Sequence, residues 1–267
     1  MRPRKRFGQN FLKDRGVISK IVEVIRPEPS DNMVEIGPGL GALTAPLLET
    51  LNRLEVVEID RDIVEQLKKR FPEERLPIHQ ADALKFDFSS LGGNLRIVGN
   101  LPYNISTPLL FHLSDFSKII KDMHFMLQKE VVDRMASPPS SPDYGRLSVM
   151  LQHQFYIVKC FEVPPHCFYP EPKVDSAIVR MIPLESRQAR DEGLFSDVVL
   201  AAFSQRRKTL KNTLKTILNQ EDFEALEIDP NARAENLSVS DFATIANRLA
   251  EKRKQIIDAG LRIVGGR

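Results

Sequence analysis

The chain has 267 residues, 42% hydrophobic and 28% charged, which excludes global disorder and leaves room for one large domain with at most a small companion. Thirty-eight Lys and Arg against 36 Asp and Glu give a net charge of +2, and that sum alone argues against a polyanionic partner. No apolar run approaches the roughly 18 residues a membrane span needs, and Cys160 and Cys167 cannot staple a chain of this size, so a reducing cytoplasm is the expected compartment.

Strand patterns are predicted at Met33–Ile36, Leu54–Ile59, Leu76–His79, Leu95–Gly99, Met123–Leu127, Tyr156–Val163 and Ser176–Ile182. Helical patterns lie between the early ones, as in Arg61–Phe71, where Ile63, Val64 and Leu67 share a face. This alternation predicts an α/β fold with one seven-stranded, doubly wound sheet. Two stretches break the pattern: Ser137–Gly145, and Val163–Lys173 with four prolines in eleven residues. Past Glu185 the strand patterns stop. Helices are expected at Leu194–Phe203, Arg206–Leu218 and Asp241–Ile257, the last introduced by a capping-box spacing from Ser238 to Asp241. The expected organisation is a domain over 1–184 and a small helical domain over 185–267.

Charge is unevenly placed. Met1–Arg15 carries +5, through residues that include Arg2, Arg4, Lys5 and Arg6, and Phe203–Leu218 carries +5 through Arg206, Arg207, Lys208, Lys211 and Lys215. These 31 residues hold +10 and the other 236 hold −8, a segregation suited to touching nucleic acid at selected places.

The chemistry-bearing motifs sit at strand ends. Gly37, Gly39 and Gly41 follow the first strand, where backbone can approach a ligand with no Cβ in the way. Glu58 ends the second strand and is placed to accept from ribose hydroxyls. A dinucleotide and S-adenosylmethionine both fit those two facts, and the glycine spacing tilts the choice to the latter. Asp82, with Ala83 beside it, follows the third strand and suits an adenine amino group. The fourth strand runs into Asn100-Leu101-Pro102-Tyr103. An exocyclic adenine amine is a poor nucleophile because its lone pair is delocalised into the ring. The Asn100 side-chain carbonyl and a neighbouring backbone carbonyl, that of Leu101, would accept its N–H bonds and aim the lone pair at a methyl group. Pro102 stiffens the turn and Tyr103 offers a stacking face. Phe168 or Tyr169 would clamp the other face of a flipped-out base, and Phe168 is the one assigned here. Phe11, Phe86 and Phe88 read as core. Cys160, His166 and Cys167 lack zinc spacing, so no metal is expected.

Through Phe7–Leu12, Glu35–Thr44, Val57–Asp60, Gln80–Leu84, Asn100–Ser106, Pro170–Ala177 and Phe203–Asn212 the chain resembles the bacterial small-subunit ribosomal RNA adenine dimethyltransferases, the kasugamycin-sensitivity family. The resemblance implies a Rossmann-like class I methyltransferase domain that uses S-adenosylmethionine, followed by a small all-α domain. It further implies dimethylation of two adjacent adenosines in a hairpin near the 3′ end of 16S rRNA, and the expected partner is that RNA within the 30S subunit or its precursor, met by a monomer without metal. Asn10 and Leu12 would then border the methionine end of the cofactor, Gly37 and Gly39 the glycine loop, Glu58 the ribose and Asp82 the adenine, with Asn100 between cofactor and target. Position 10 is often histidine in relatives, so Asn10 is a mild departure. Competing readings are the 23S rRNA adenine dimethyltransferase of macrolide resistance, DNA adenine or protein glutamine methylation, and an assembly factor that binds without turnover. The intact Glu58, Asp82 and Asn100–Tyr103 argue against the last.

Overall fold

The computed structural model describes residues 10–264, so Arg2, Arg4, Lys5 and Arg6 lie outside the described residues. In chain order the elements are β1 (Phe11–Leu12), α1 (Arg15–Ile25), β2 (Asn32–Ile36), α2 (Thr44–Thr50), β3 (Glu55–Glu58), α3 (Arg61–Arg70), β4 (Ile78–Gln80), β5 (Leu95–Asn100), α4 (Ser106–Ser114), β6 (Ile120–Gln128) and α5 (Lys129–Ala136). There follow α6 (Arg146–Gln152), β7 (Phe155–Val163), β8 (Phe168–Tyr169), β9 (Ser176–Pro183), α7 (Glu192–Ala202), α8 (Leu210–Thr213), α9 (Gln220–Ala225) and α10 (Val239–Val264). No helix among the described residues is long and apolar enough to cross a membrane.

The chain divides into two compact units, 1–133 with 155–183 and 134–154 with 184–267. All seven predicted strand runs form one sheet in the first unit, in the order β4-β3-β2-β5-β6-β9-β7. Five neighbours, β4 through β6, are parallel, and β9 runs antiparallel between β6 and β7. Parallel strands covered on both faces need apolar residues at nearly every position, as Met33, Val34 and Ile36 of β2 and Leu95, Ile97 and Val98 of β5 show. Helix α3 forms as its sequence suggests. Asp60 caps it by accepting from Asp62 N at 3.0 Å, Ile63, Val64 and Leu67 are buried, and Lys68, Lys69 and Arg70 sit at its negative end.

At the far end of the sheet Arg96 of β5 uses all five of its N–H groups. Nε and one terminal nitrogen grip Asp122 at 2.9 Å each, and the other partners are Asp31 and the carbonyls of Ile25 and Arg26. It thereby satisfies carbonyls that α1 leaves open at its C-terminus. At the near end β2 and β5 approach so closely that a Cβ on Gly99 would stand 2.6 Å from the Ile36 carbonyl oxygen.

The second unit is helical, with a core of Phe195, Val198, Leu210, Leu214, Phe223, Phe242 and Ile245. Tyr144 and Val149 belong to that core, so the segment 134–154, which the sequence reading groups with the first domain, packs with the helices beyond Leu184. Ser238 and Asp241 make the reciprocal bonds of a cap ahead of α10, at 2.8 and 3.1 Å. The helix expected over Arg206–Leu218 is a correction: only Leu210–Thr213 is helical. Thr209 bridges Arg233, and the amides of Leu210 and Lys211 bond to Ala232 and Pro230. Like charges at Arg207 and Lys211, one helical turn apart, would also have opposed a longer helix.

Gly99→Ala should destabilise the protein by about 2 kcal/mol or more, because the obstacle is backbone rather than a yielding side chain. Urea unfolding of the variant checks this, and parent-like stability would contradict the close β2–β5 approach.

Candidate active site

Strand order reverses between β2 and β5, and the crevice outside the carboxyl ends of strands at such a point is where open α/β sheets hold ligands. A cavity of about 420 Å³ opens there. Asn10, Leu12, Gly37, Gly39, Glu58, Asp82, Ala83, Asn100, Leu101, Pro102 and Tyr103 all line it, although they come from five separate stretches of chain.

Beneath the glycine loop lie two buried carboxylates. Gly37 and Gly39 have φ of +64° and +55°, a region that disfavours other residues. A Cβ at Gly39 would also press within 3.1 Å of the Phe11 ring. Glu58 accepts from Asp60 N at 2.8 Å, and burial raises its pKa against that bond. Glu35 accepts from the Thr44 hydroxyl at 2.6 Å. Burial, aided by the Glu58 charge and opposed by Thr44, pushes Glu35 up to about 7. Asp82 caps its own turn through Leu84 N at 3.0 Å with one oxygen.

On the other wall, Asn100 Nδ2 donates to the Asn10 carbonyl at 2.9 Å. A carbonyl oxygen can only accept, so this bond fixes which way the amide points and leaves Oδ1 as an acceptor. In the turn that follows, Pro102 O takes Ile105 N and Tyr103 O takes the Ser106 hydroxyl, both at 3.1 Å. Leu101 O accepts from no donor among the described residues. Two acceptors, Asn100 Oδ1 and Leu101 O, are thus adjacent in the chain and uncommitted. The Tyr103 hydroxyl meets Ser176 Oγ at 2.7 Å.

Phe168 does not stand where the sequence predicts a clamp. Phe168 is 1% exposed and belongs to the core, whereas Tyr169 is 62% exposed and lines the cavity. The cause is the two-stranded pairing of β1 with β8, Phe11 opposite Tyr169 and Leu12 opposite Phe168. Alternation sends Leu12 and Phe168 inward together and leaves the other pair at the cavity. Fully burying a phenylalanine contributes roughly 1.5–3 kcal/mol, so Phe168 is not available as a clamp. Phe11, read as core from sequence, is likewise a cavity residue.

In the second unit Arg206, Arg207, Lys208 and Lys211 are exposed. Arg206 is nevertheless engaged, donating to the Pro142 carbonyl and pairing with Glu235 at 3.5 Å.

The model of the ribosomal RNA adenine dimethylase family matches residues 1–251. The chain belongs to that family. It is an rRNA adenine dimethyltransferase, with a class I methyltransferase fold. Ribosomal RNA small subunit methyltransferase A of Aromatoleum aromaticum is 60% identical over 253 residues, covering 94% of this chain and 96% of the relative. The protein of the same name from Nitrosospira multiformis is 61% identical over 247 residues, covering 92% and 95%. Among solved structures, a dimethyladenosine transferase from Plasmodium falciparum superposes with a TM-score of 0.81 at 28% identity, covering 91% of this chain and 98% of the other. The 23S rRNA methyltransferase ErmE, at 24% identity and a TM-score of 0.73 over 90% of this chain and all of its own, shares the fold.

Among the cavity residues of this dimethyltransferase to which sequence reading assigns no role are Glu35, Ile59 and Leu40. Glu35 stands two positions before Gly37, and its signal was an acid inside an otherwise apolar strand. Ile59, 49% exposed, follows Glu58 directly, and Leu40, 40% exposed, lies between the glycines.

Glu35 generates a test. Its folded pKa lies above the unfolded one, so its contribution to stability is present below about pH 4.5 and is lost as pH rises to about 7. Glu35→Gln should remove that loss and gain about 3 kcal/mol on the parent between those limits. His124, buried with neither ring nitrogen bonded and its pKa driven down to about 4 by burial, has the opposite sign over an overlapping window. The difference between variant and parent in urea unfolding across pH therefore isolates Glu35, and a flat difference would refute the assignment.

Proposed function

We propose that this enzyme uses S-adenosylmethionine to place two methyl groups on the N6 amine of each of two adjacent adenosines in the hairpin near the 3′ end of 16S rRNA, on the 30S subunit or its precursor, acting as a metal-free monomer in the bacterial cytoplasm. The observation that carries the reading is the Asn100 amide, locked by the Asn10 carbonyl with Oδ1 free beside an uncommitted Leu101 carbonyl. Two such acceptors match the two hydrogens of an adenine amine. The cavity also suits the donor: its volume lies in the range of small-molecule sites, the glycine loop presents bare backbone, and Glu58 and Asp82 are acceptors for ribose hydroxyls and an adenine amine. Gly37, Gly39, Glu58, Asp82 and Ala83 would hold the nucleoside, with Asn10 and Leu12 at the methionine end. When bound, S-adenosylmethionine supplies an electrophilic methyl carbon on a positively charged sulfur.

The residues of the chain then act by positioning. Asn100 Oδ1 and Leu101 O hold the N6 protons, which favours a pyramidal nitrogen and points its lone pair into the cavity. Pro102 keeps the turn stiff, and Tyr103 supports the base by stacking, with Tyr169 taking the clamping role once assigned to Phe168. The methylated amine is acidic enough to release its proton to water, so no strong base is required in the cavity. Fixed acceptors that need no reorganisation provide most of the rate.

Offered labelled S-adenosylmethionine with unmethylated 30S particles, free 16S rRNA, 50S particles or DNA, the enzyme should place label only in the 16S hairpin, and label mapping to 23S rRNA or DNA would overturn the reading. Asn100→Ala should lower transfer by at least about 100-fold while rRNA affinity stays within a few-fold. For the basic segment, Arg207→Ala with Lys208→Ala should reduce the salt slope of 30S binding by about 2, one for each lost phosphate contact. An unchanged slope would remove both residues from the RNA-contacting surface.

A further inference from the structure

The stretch Pro170–Ala177 has a place in the sequence pattern but, apart from its fold, no task in the chemistry above. Ser176 is its most tightly held member. It is fully buried, it begins β9, and its backbone is paired on both sides, to Gln128 at the end of β6 and to Val163 at the end of β7. Few side chains in this sheet have a better fixed origin. Its Oγ stands 2.7 Å from the hydroxyl of Tyr103, whose ring lines the cavity.

Tyr103 is therefore tied at two ends. Its carbonyl accepts from the Ser106 hydroxyl at the start of α4, and its phenol oxygen meets Ser176 in the sheet. With backbone and ring tip both held, the ring has little freedom in tilt or depth. The Ser176 side chain has no exposed surface, so its hydroxyl has no access to bulk water as an alternative partner. A buried hydroxyl left without its partner would be costly, so the pair is persistent rather than incidental. The burial that holds the ring also raises the Tyr103 pKa, so the phenol stays protonated and able to donate.

We infer that Ser176 is a positioning residue for methyl transfer: through its hydrogen bond it sets the plane and height of the Tyr103 ring, and so the height at which the target adenine lies relative to Asn100 Oδ1 and Leu101 O. This rests on the reading of Tyr103 as the stacking face. A base lying a fraction of an ångström high loses alignment with both acceptors at once, and misplacement of about 1 Å can cost up to about 100-fold in rate.

The experiment is a double-mutant cycle with Ser176→Ala, Tyr103→Phe and the pair, measuring kcat and KM for labelled methyl transfer to unmethylated 30S particles, with Tyr103→Ala alongside. Each single variant should lower kcat by roughly 10-fold, the scale of one positioning bond, with both KM values within about twofold. The double variant should be no worse than the worse single one, since both remove the same bond. Tyr103→Phe keeps ring and volume, so its loss cannot be laid to misfolding. Parent-like kcat in Tyr103→Phe, or losses that multiply in the pair, would overturn the inference while leaving the stacking role intact. Full activity in Tyr103→Ala would overturn the stacking role itself, and the inference with it.

Discussion

Everything in the cavity depends on how closely β2 and β5 lie side by side at their carboxyl ends. The pairing runs from Asn32–Leu95 to Glu35–Val98, and one step further Gly99 has no room for a side chain against the Ile36 carbonyl. Parallel neighbours stand about 4.8 Å apart. That spacing sets the glycine loop after Ile36 and the amine-binding turn after Gly99 on adjacent posts, although more than sixty residues separate them in the chain. Right-handed crossovers then carry α2 and α4 to opposite faces of the sheet, so nothing fills the crevice between the two loops.

A second constraint closes the cavity from the N-terminal side. β1 and β8 are only two residues each, yet they carry Asn10 and Phe11 across the mouth of the site. Phe11 abuts Gly39 on the cofactor wall, while the Asn10 carbonyl orients Asn100 on the amine wall. The same short strap therefore touches both walls. Its bond from residue 10 is made by backbone, so that contact does not depend on which side chain stands there.

Much of this was readable from sequence wherever the signal is local. Seven largely apolar runs are seven strands, the central ones buried at nearly every position because both of their faces are covered, and the glycines and acids at their ends could be placed by counting from those strands. Features set by a distant partner were not readable. Whether Phe168 or Tyr169 faces the cavity depends on the parity of pairing with β1, and a two-residue strand carries no periodicity of its own. In place of the helix expected from Arg206 there is a bridge between Thr209 and Arg233, 24 residues further on. Likewise nothing within 134–154 announces that Tyr144 and Val149 complete a core built from residues beyond 184.

Net charge is a sum over the chain, whereas pairing decides which charges are felt nearby. In the second unit four acids are paired internally: Asp222 by Lys252 and Arg248, Glu235 by Arg206 and Arg233, Glu192 by Arg187 and His153, Glu251 by Arg190. Arg207, Lys208, Lys211 and Lys215 have no acidic partner among the described residues and are exposed. Opposite charges that neutralise each other at contact distance contribute little field beyond about 8 Å at physiological salt, so a polyanion close to this run senses its unpaired cations more than the sum over the chain. Arg206 sits on the other side of that division. By binding Pro142 and Glu235 it orders the loop beside its neighbours, and it supports a basic surface more than it adds to one. A count of lysines and arginines treats all five residues alike, whereas their hydrogen bonds divide them into one that builds the surface and four that present it.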